Sequence, residues 1–166
     1  TPRAAQAIAW TREQLTGSQL TWLAELPLTH QLDDMVLLVH ASPLEPHDWH
    51  YVVDARDAGP DIAAQTTPLC FFGHTHRPLA VREGVGGLPF GPDAPIPLER
   101  DGVYLINIGS VGQPRDGDPR ASFGILDRER QVVELHRVPY DIATAQDKIR
   151  AANLPPSLAD RLAEGY

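Results

Sequence analysis

Leu69-Cys70-Phe71-Phe72-Gly73-His74-Thr75-His76-Arg77-Pro78 is the stretch from which the rest of the chain is best read. Four apolar residues in a row, without alternation, fit a strand buried on both faces. Gly73 allows a sharp exit from that strand and Pro78 stiffens the far side, so two imidazoles two residues apart are held in a short loop. At that spacing two rings cannot easily chelate one ion from a helix. A tight loop can bring them to one ion or to two neighbouring ions, and neutral imidazole is the commonest side-chain ligand for transition metals near neutral pH.

The same pattern recurs on either side. Met35-Val36-Leu37-Leu38-Val39 is an unbroken apolar run ending at His40, and residues 103–108 form a third run, interrupted by Asn107 and closed by Gly109-Ser110. Three of the seven histidines, His40, His74 and His76, thus fall at the carboxyl ends of buried strands. In open α/β sheets ligands bind beyond those ends, where loops converge on rigid supports. One such histidine alone would read as a structural side chain; three together point to metal ligation. His47 and His50, around the Pro- and Asp-rich loop that follows His40, read as solvated or rim residues, and His30 and His136 as structural. Asp48-Trp49-His50 spells Asp-x-His, yet no buried strand leads into it, so the motif reads as coincidence.

Further out, residues 2–15 place Ala4, Ala7, Ile8 and Leu15 near one helical face. Thr16-Gly17-Ser18-Gln19 has the form of a capping box opening a second helix that Pro27 stops. Trp10 and Trp22 read as core or interhelix packing. Residues 123–126 and 131–138 flank a polar turn and read as a hairpin, and two helices follow over about 141–153 and 157–164. The segment 83–97, with four glycines and four prolines, reads as an exposed loop. Five strands and four helices then give one α/β domain over residues 1–166 whose sheets are incomplete.

The 166 residues carry a formal net charge of -8. An acidic chain repels nucleic-acid polymers and anionic membranes, and equally a phosphorylated substrate, so a phosphate site here needs a local positive charge such as a metal ion. A single cysteine, Cys70, excludes an internal disulfide and fits a reducing, cytoplasmic setting; within its apolar run it reads as packing. No apolar run approaches the roughly 20 residues of a membrane span.

Three segments, in order, resemble the calcineurin-like metallophosphoesterase superfamily, in particular its compact bacterial and archaeal phosphodiesterase branch. They are Val39-His40-Ala41-Ser42-Pro43, Phe72-Gly73-His74-Thr75-His76-Arg77-Pro78, and Ile106-Asn107-Ile108-Gly109-Ser110-Val111-Gly112-Gln113-Pro114-Arg115, followed by Ala121-Ser122-Phe123-Gly124-Ile125-Leu126-Asp127. Ala41 and Ile108 depart mildly from the family's usual Gly and Pro. The resemblance implies a four-layer α/β/β/α sandwich and a dinuclear centre of divalent Mn, Fe, Ni or Zn. His40 and His74 would bind one ion and His76 the other, with a bridging hydroxide attacking phosphorus in line. It implies a phosphodiesterase or phosphomonoesterase acting on a small phosphorylated or nucleotide-like substrate; a homo-oligomer is compatible with it.

The family's remaining ligands come from Asp-x-His, Gly-Asp and Gly-Asn-His-Asp segments that do not precede Thr1. The chain therefore reads as the C-terminal portion of the sandwich, with an N-terminal segment of the same polypeptide as its partner in the site. Three neutral imidazoles cannot by themselves hold two divalent cations close together. If the loop 110–120 is functional and not merely solvated, Arg115 or Arg120 could reach a substrate phosphate, and amides near 109–112 could form an anion nest. The competing reading is a non-catalytic interaction module that keeps this fold with a degenerate metal site.

Overall fold

The apolar runs that end at the histidines pair side by side and in parallel. The computed structural model describes residues 1–166, whose contacts divide into two units: Thr1–Pro27 with Asp141–Glu164, and Leu28–Tyr140 with Gly165–Tyr166. In the larger unit β2 (Val36–Val39), β3 (Leu69–Phe72) and β7 (Tyr104–Ile108) are consecutive parallel strands of a six-stranded sheet. β1 (Thr29–Gln31) closes one edge antiparallel to β2. β4 (Pro78–Arg82) and β5 (Gly86–Leu88) extend the other, each antiparallel to its neighbour. A second sheet has the order β6-β9-β8, formed by β6 (Ile96–Pro97), β9 (Val132–Val138) and β8 (Ala121–Asp127).

Register decides the geometry. Val36 lies beside Leu69, Leu69 beside Tyr104, and Phe72 beside Asn107, so the three parallel strands end at one level. The ladder runs one step past the strands, with the Gly73 N–H donating to the His40 carbonyl at 2.9 Å.

Both faces of the larger sheet are covered, which is why its central strands are apolar almost throughout, Asn107 of β7 being the exception. One face contributes Val36, Leu69, Ala80, Tyr104 and Ile106 to a core shared with Ile96 and Val133 of the second sheet. The other face, with Leu37, Val39, Cys70, Phe72 and Leu105, packs on Val52, Ala58 and Ile62, the last within α3 (Gly59–Ala64). The unit is thus a helix-bearing layer over two stacked sheets. Cys70 is fully buried in it, and desolvation, with the nearby Asp61 charge, pushes its thiol up to about 12. That is the behaviour of a packing residue and not of a nucleophile.

The smaller unit holds α1 (Pro2–Gln14), α2 (Gly17–Glu25), α4 (Ile142–Ala151) and α5 (Pro156–Glu164). The capping box forms as expected: Gln19 N–H donates to the Thr16 hydroxyl and Thr16 N–H to the Gln19 side chain. Asp141 likewise accepts from the Thr144 N–H at the start of α4.

Several expectations need correction. Neither α1 nor α2 has a buried residue, and Trp22 is 61% exposed, so Trp10 and Trp22 do not serve as core packing. The segment 83–97 is not a bare loop: it contributes β5 and β6, which bond to β4 and β9 at sheet edges. Its glycines and prolines hid those strands because edge positions leave one side of the ladder unpaired and tolerate both residue types. β1, β4 and α3 were also unforeseen, being too short to show periodicity.

Candidate metal centre

Parallel pairing places His40, the His74–His76 loop and Gly109 at the same sheet edge. The turn after β3 is not made by Gly73, which has no left-handed backbone. His74 and His76 adopt positive φ, 65° and 61°, on either side of Thr75. A left-handed residue with a full side chain costs about 1–2 kcal/mol, and such residues persist where surrounding structure over-determines them.

Here the over-determination is visible. Asn107 is fully buried in β7, and its amide donates to the Gly73 carbonyl at 2.7 Å and to the Thr75 hydroxyl at 3.0 Å. Its carbonyl accepts the Gly109 N–H at 2.9 Å. From the far side His76 Nδ1 meets the Gln113 carbonyl at 2.7 Å, Arg115 N–H donates to the His76 carbonyl, and Arg77 Nε donates to the Arg115 carbonyl. The loop 110–120 is therefore laced to the histidine loop. It is not a free turn, and the Gly109 amide is already engaged and cannot join an anion nest.

The three imidazoles are not equivalent. His40 Nε2 lies 3.2 Å from His74 Nδ1. Two nitrogens each about 2.0–2.1 Å from a shared ion stand about 2.8–3.4 Å apart for angles between a right angle and the tetrahedral one, so this pair fits adjacent positions of one coordination sphere. His76 points its Nδ1 at Gln113, which makes Nδ1 the protonated nitrogen of the neutral ring and directs the lone pair to Nε2. No three His, Cys, Asp or Glu side chains converge closely enough to hold one ion. The donors present fit part of a metal site and supply no carboxylate.

Electrostatics favours the ligand form. Burial, then the His40, His76 and Arg115 charges, hold the His74 pKa below the ordinary histidine value, against a smaller opposing contribution from the Trp49 backbone. His74 Nε2 is buried and makes no hydrogen bond of acceptable geometry. Arg115 is close enough to act on His74, and its guanidinium is steadied by the Gln113 side chain at 2.7 Å. Arg120 instead turns to Asp118, with Nη2–Oδ2 at 2.6 Å.

Residues that the sequence did not single out complete the surroundings. Trp49 packs on His40 with centroids 4.5 Å apart and meets His74 edge-on at 5.7 Å, while Tyr51 lies 4.2 Å from His74. The segment Asp48-Trp49-His50 therefore does border the site, through its tryptophan. His50 is no rim ornament either: its Nε2 lies 3.3 Å from the Asp61 carboxylate, which is 1% exposed and also accepts from Ser42. The available signals were Asn107 within an apolar run, which had to find partners, and two aromatics just beyond a strand-end histidine.

Comparison with known proteins agrees with this architecture. A model of the calcineurin-like phosphoesterase superfamily domain matches residues 14–131. The chain is 38% identical over 164 residues to an uncharacterized protein of Methanocaldococcus jannaschii, covering 95% of this chain and 64% of that relative, so it spans less than two thirds of the relative's length. It superposes on a metallophosphoesterase from Sphaerobacter thermophilus with TM-score 0.87 and 44% identity, over 95% of this chain and 67% of that one. A hypothetical protein from Pyrococcus horikoshii shares the fold at TM-score 0.69 and 20% identity, over 93% and 57% of the two chains. With His40, the His74–His76 loop and Asn107 all inside the matched span, the chain belongs to the calcineurin-like phosphoesterase superfamily.

Proposed function

We propose that this chain contributes to the active centre of a metal-dependent phosphoesterase, with His40 and His74 on one divalent ion and His76 on a second. The observation that carries the proposal is the 3.2 Å approach of His40 Nε2 to His74 Nδ1, the latter in a loop whose backbone is held left-handed at His74 and His76. Such ions, whether Mn, Fe, Ni or Zn, supply Lewis-acid activation of a phosphate ester and of water. The chain's own residues do the positioning. Asn107 fixes the loop from within the sheet, the Gln113 carbonyl sets the His76 tautomer, and the depressed His74 pKa keeps its ring neutral and able to bind.

Arg115, acting on His74 and steadied by Gln113, is the favoured phosphate-binding cation of the 110–120 loop; Arg120 is committed to Asp118. Local positive charge matters because the whole chain, at -8, repels a phosphate. The carboxylate ligands would come from further polypeptide of the same protein. A small phosphodiester or phosphomonoester, in a reducing cytoplasmic setting, is the substrate class and location consistent with this reading. No helix is long and apolar enough to cross a membrane.

The test is metal content and hydrolysis of bis(p-nitrophenyl) phosphate by the full-length protein. Two ions per molecule and metal-dependent hydrolysis are expected. His40→Ala and His74→Ala should each deplete the same equivalent of metal, and His76→Ala should abolish hydrolysis while far-ultraviolet dichroism stays unchanged. Near-normal turnover by His76→Ala would overturn the assignment, and a metal-free protein with every segment present would favour the interaction module.

A further inference from the structure

Asp61 is a carboxylate at 1% exposure on α3, and further polypeptide over the site can only deepen that burial. A charge withdrawn from water is costly unless it is paired, and a neutral residue would fill the same volume without that cost, so packing alone does not account for it. What it holds is more informative. One partner is the fully buried Ser42 hydroxyl, which donates to Oδ1 and itself accepts the Leu44 N–H at 3.1 Å. The other is His50, whose Nε2 lies 3.3 Å from the carboxylate; an ionised carboxylate only accepts, so that nitrogen carries the proton. Ser42 comes two residues after His40, and His50 stands between Trp49 and Tyr51, which pack on His40 and His74 with centroids 4.5 and 4.2 Å apart. A single buried group thus ties the outgoing and the returning limb of the loop around the histidine pair.

We infer that Asp61 is a positioning residue of the metal centre, directing His40 through Ser42 and seating Trp49 and Tyr51 against the imidazoles through His50. The inference rests on the metal-site reading and adds to it a residue that touches neither ion nor substrate. His40 lies just past the end of β2, where the ladder fixes its carbonyl, to which the Gly73 N–H donates at 2.9 Å. Its direction beyond that bond depends on where the chain goes next, and the Ser42–Asp61 contact decides this. Trp49, at a left-handed φ of 55°, needs a comparable tether, because surrounding structure must hold such backbone in place. Neighbouring His50 supplies it. His76 is held from the other side by the Gln113 carbonyl, so loss of Asp61 should fall on the ion of His40 and His74 alone. Groups behind metal ligands typically change metal affinity about ten- to hundredfold.

Zinc titration of the metal-free, full-length protein, with the ring signals of His40, His76 and Trp49 followed by nuclear magnetic resonance, tests this. Asp61→Asn keeps the side-chain volume and should weaken one of the two zinc equivalents about tenfold or more, with the other unchanged and far-ultraviolet dichroism retained. Ser42→Ala should weaken the same equivalent and add little in combination with Asp61→Asn, as expected of residues on one path. It also serves if Asp61→Asn does not fold. Before zinc is added, the His40 and Trp49 signals should move in Asp61→Asn while those of His76 stay. Unchanged affinity for both equivalents would overturn the role, and so would equal weakening of both, which marks general destabilisation. A wild type that binds no zinc would bring down the metal reading by itself; the positioning role then stands if the His40 and Trp49 signals move in these variants and falls if they do not.

Discussion

At the scale of single residues, Asn107 does the most to connect the sheet to the chemistry. It is the one amide side chain within β7, and its three hydrogen bonds reach Gly73, Thr75 and Gly109, the residues that shape the histidine loop and its neighbour. Asn107→Ala would leave the buried Thr75 hydroxyl and the part-buried Gly73 carbonyl and Gly109 N–H without those partners, at a cost of about 1–3 kcal/mol. Urea denaturation of the metal-free protein should show that loss, and titration with zinc should show weaker binding, because the left-handed turn at His74 and His76 loses its support. A variant within about 0.5 kcal/mol of wild type, below the usual cost of one unsatisfied buried group, would contradict this account. The sequence shows Asn107 only as an interruption of an apolar run. Two of its three partners, Gly73 and Thr75, lie about one strand away in space and more than thirty residues away in the chain, so no local pattern names them.

Among the elements, the loop 110–120 departs furthest from its sequence appearance. Gly, Pro, Asp and Arg suggest a solvated turn, yet it is bonded to the histidine loop on one side and to Arg137 of β9 on the other, where Asp116 and Asp118 receive that guanidinium. Hydrogen bonding from Arg120 holds the Asp118 carboxyl at about 2, below its ordinary 3.8. A carboxylate whose folded pKa is depressed binds fewer protons folded than unfolded, so its stabilising contribution is complete above pH 3.8 and is lost as pH falls from there through about 2. Asp118→Asn should therefore lower stability near neutrality and flatten the acid limb of a stability-versus-pH curve in that window. An unchanged acid limb would show that the Asp118–Arg120 pair does not persist in solution. The strands carrying the histidines were legible because continuous apolar runs have few other uses. The edge strands β5 and β6 were not, since glycine and proline are compatible both with an edge and with a loop.

For the whole molecule, the uneven distribution of burial makes a prediction about local stability. Leu105, Ile106 and Tyr104 of β7 are essentially inaccessible, whereas α1 and α2 bury no residue. Amide exchange of the 166-residue chain should be slowest in β3 and β7, approaching the global unfolding limit, and fastest in α1 and α2, by local opening. Uniform protection across these elements would contradict it. The sequence by itself determined that His40, His74 and His76 end buried strands, because strand burial and strand length are written in runs of adjacent residues. It also carried the order of segments that mark the superfamily. Tertiary structure alone decided that His40 and His74 meet while His76 turns to Gln113, and that Trp49 and Tyr51 stand beside the pair. Those outcomes depend on strand register and on left-handed backbone at the histidines, set by parallel pairing and by Asn107 across the sheet. Such contacts join residues distant in the chain, and local propensity holds no record of them.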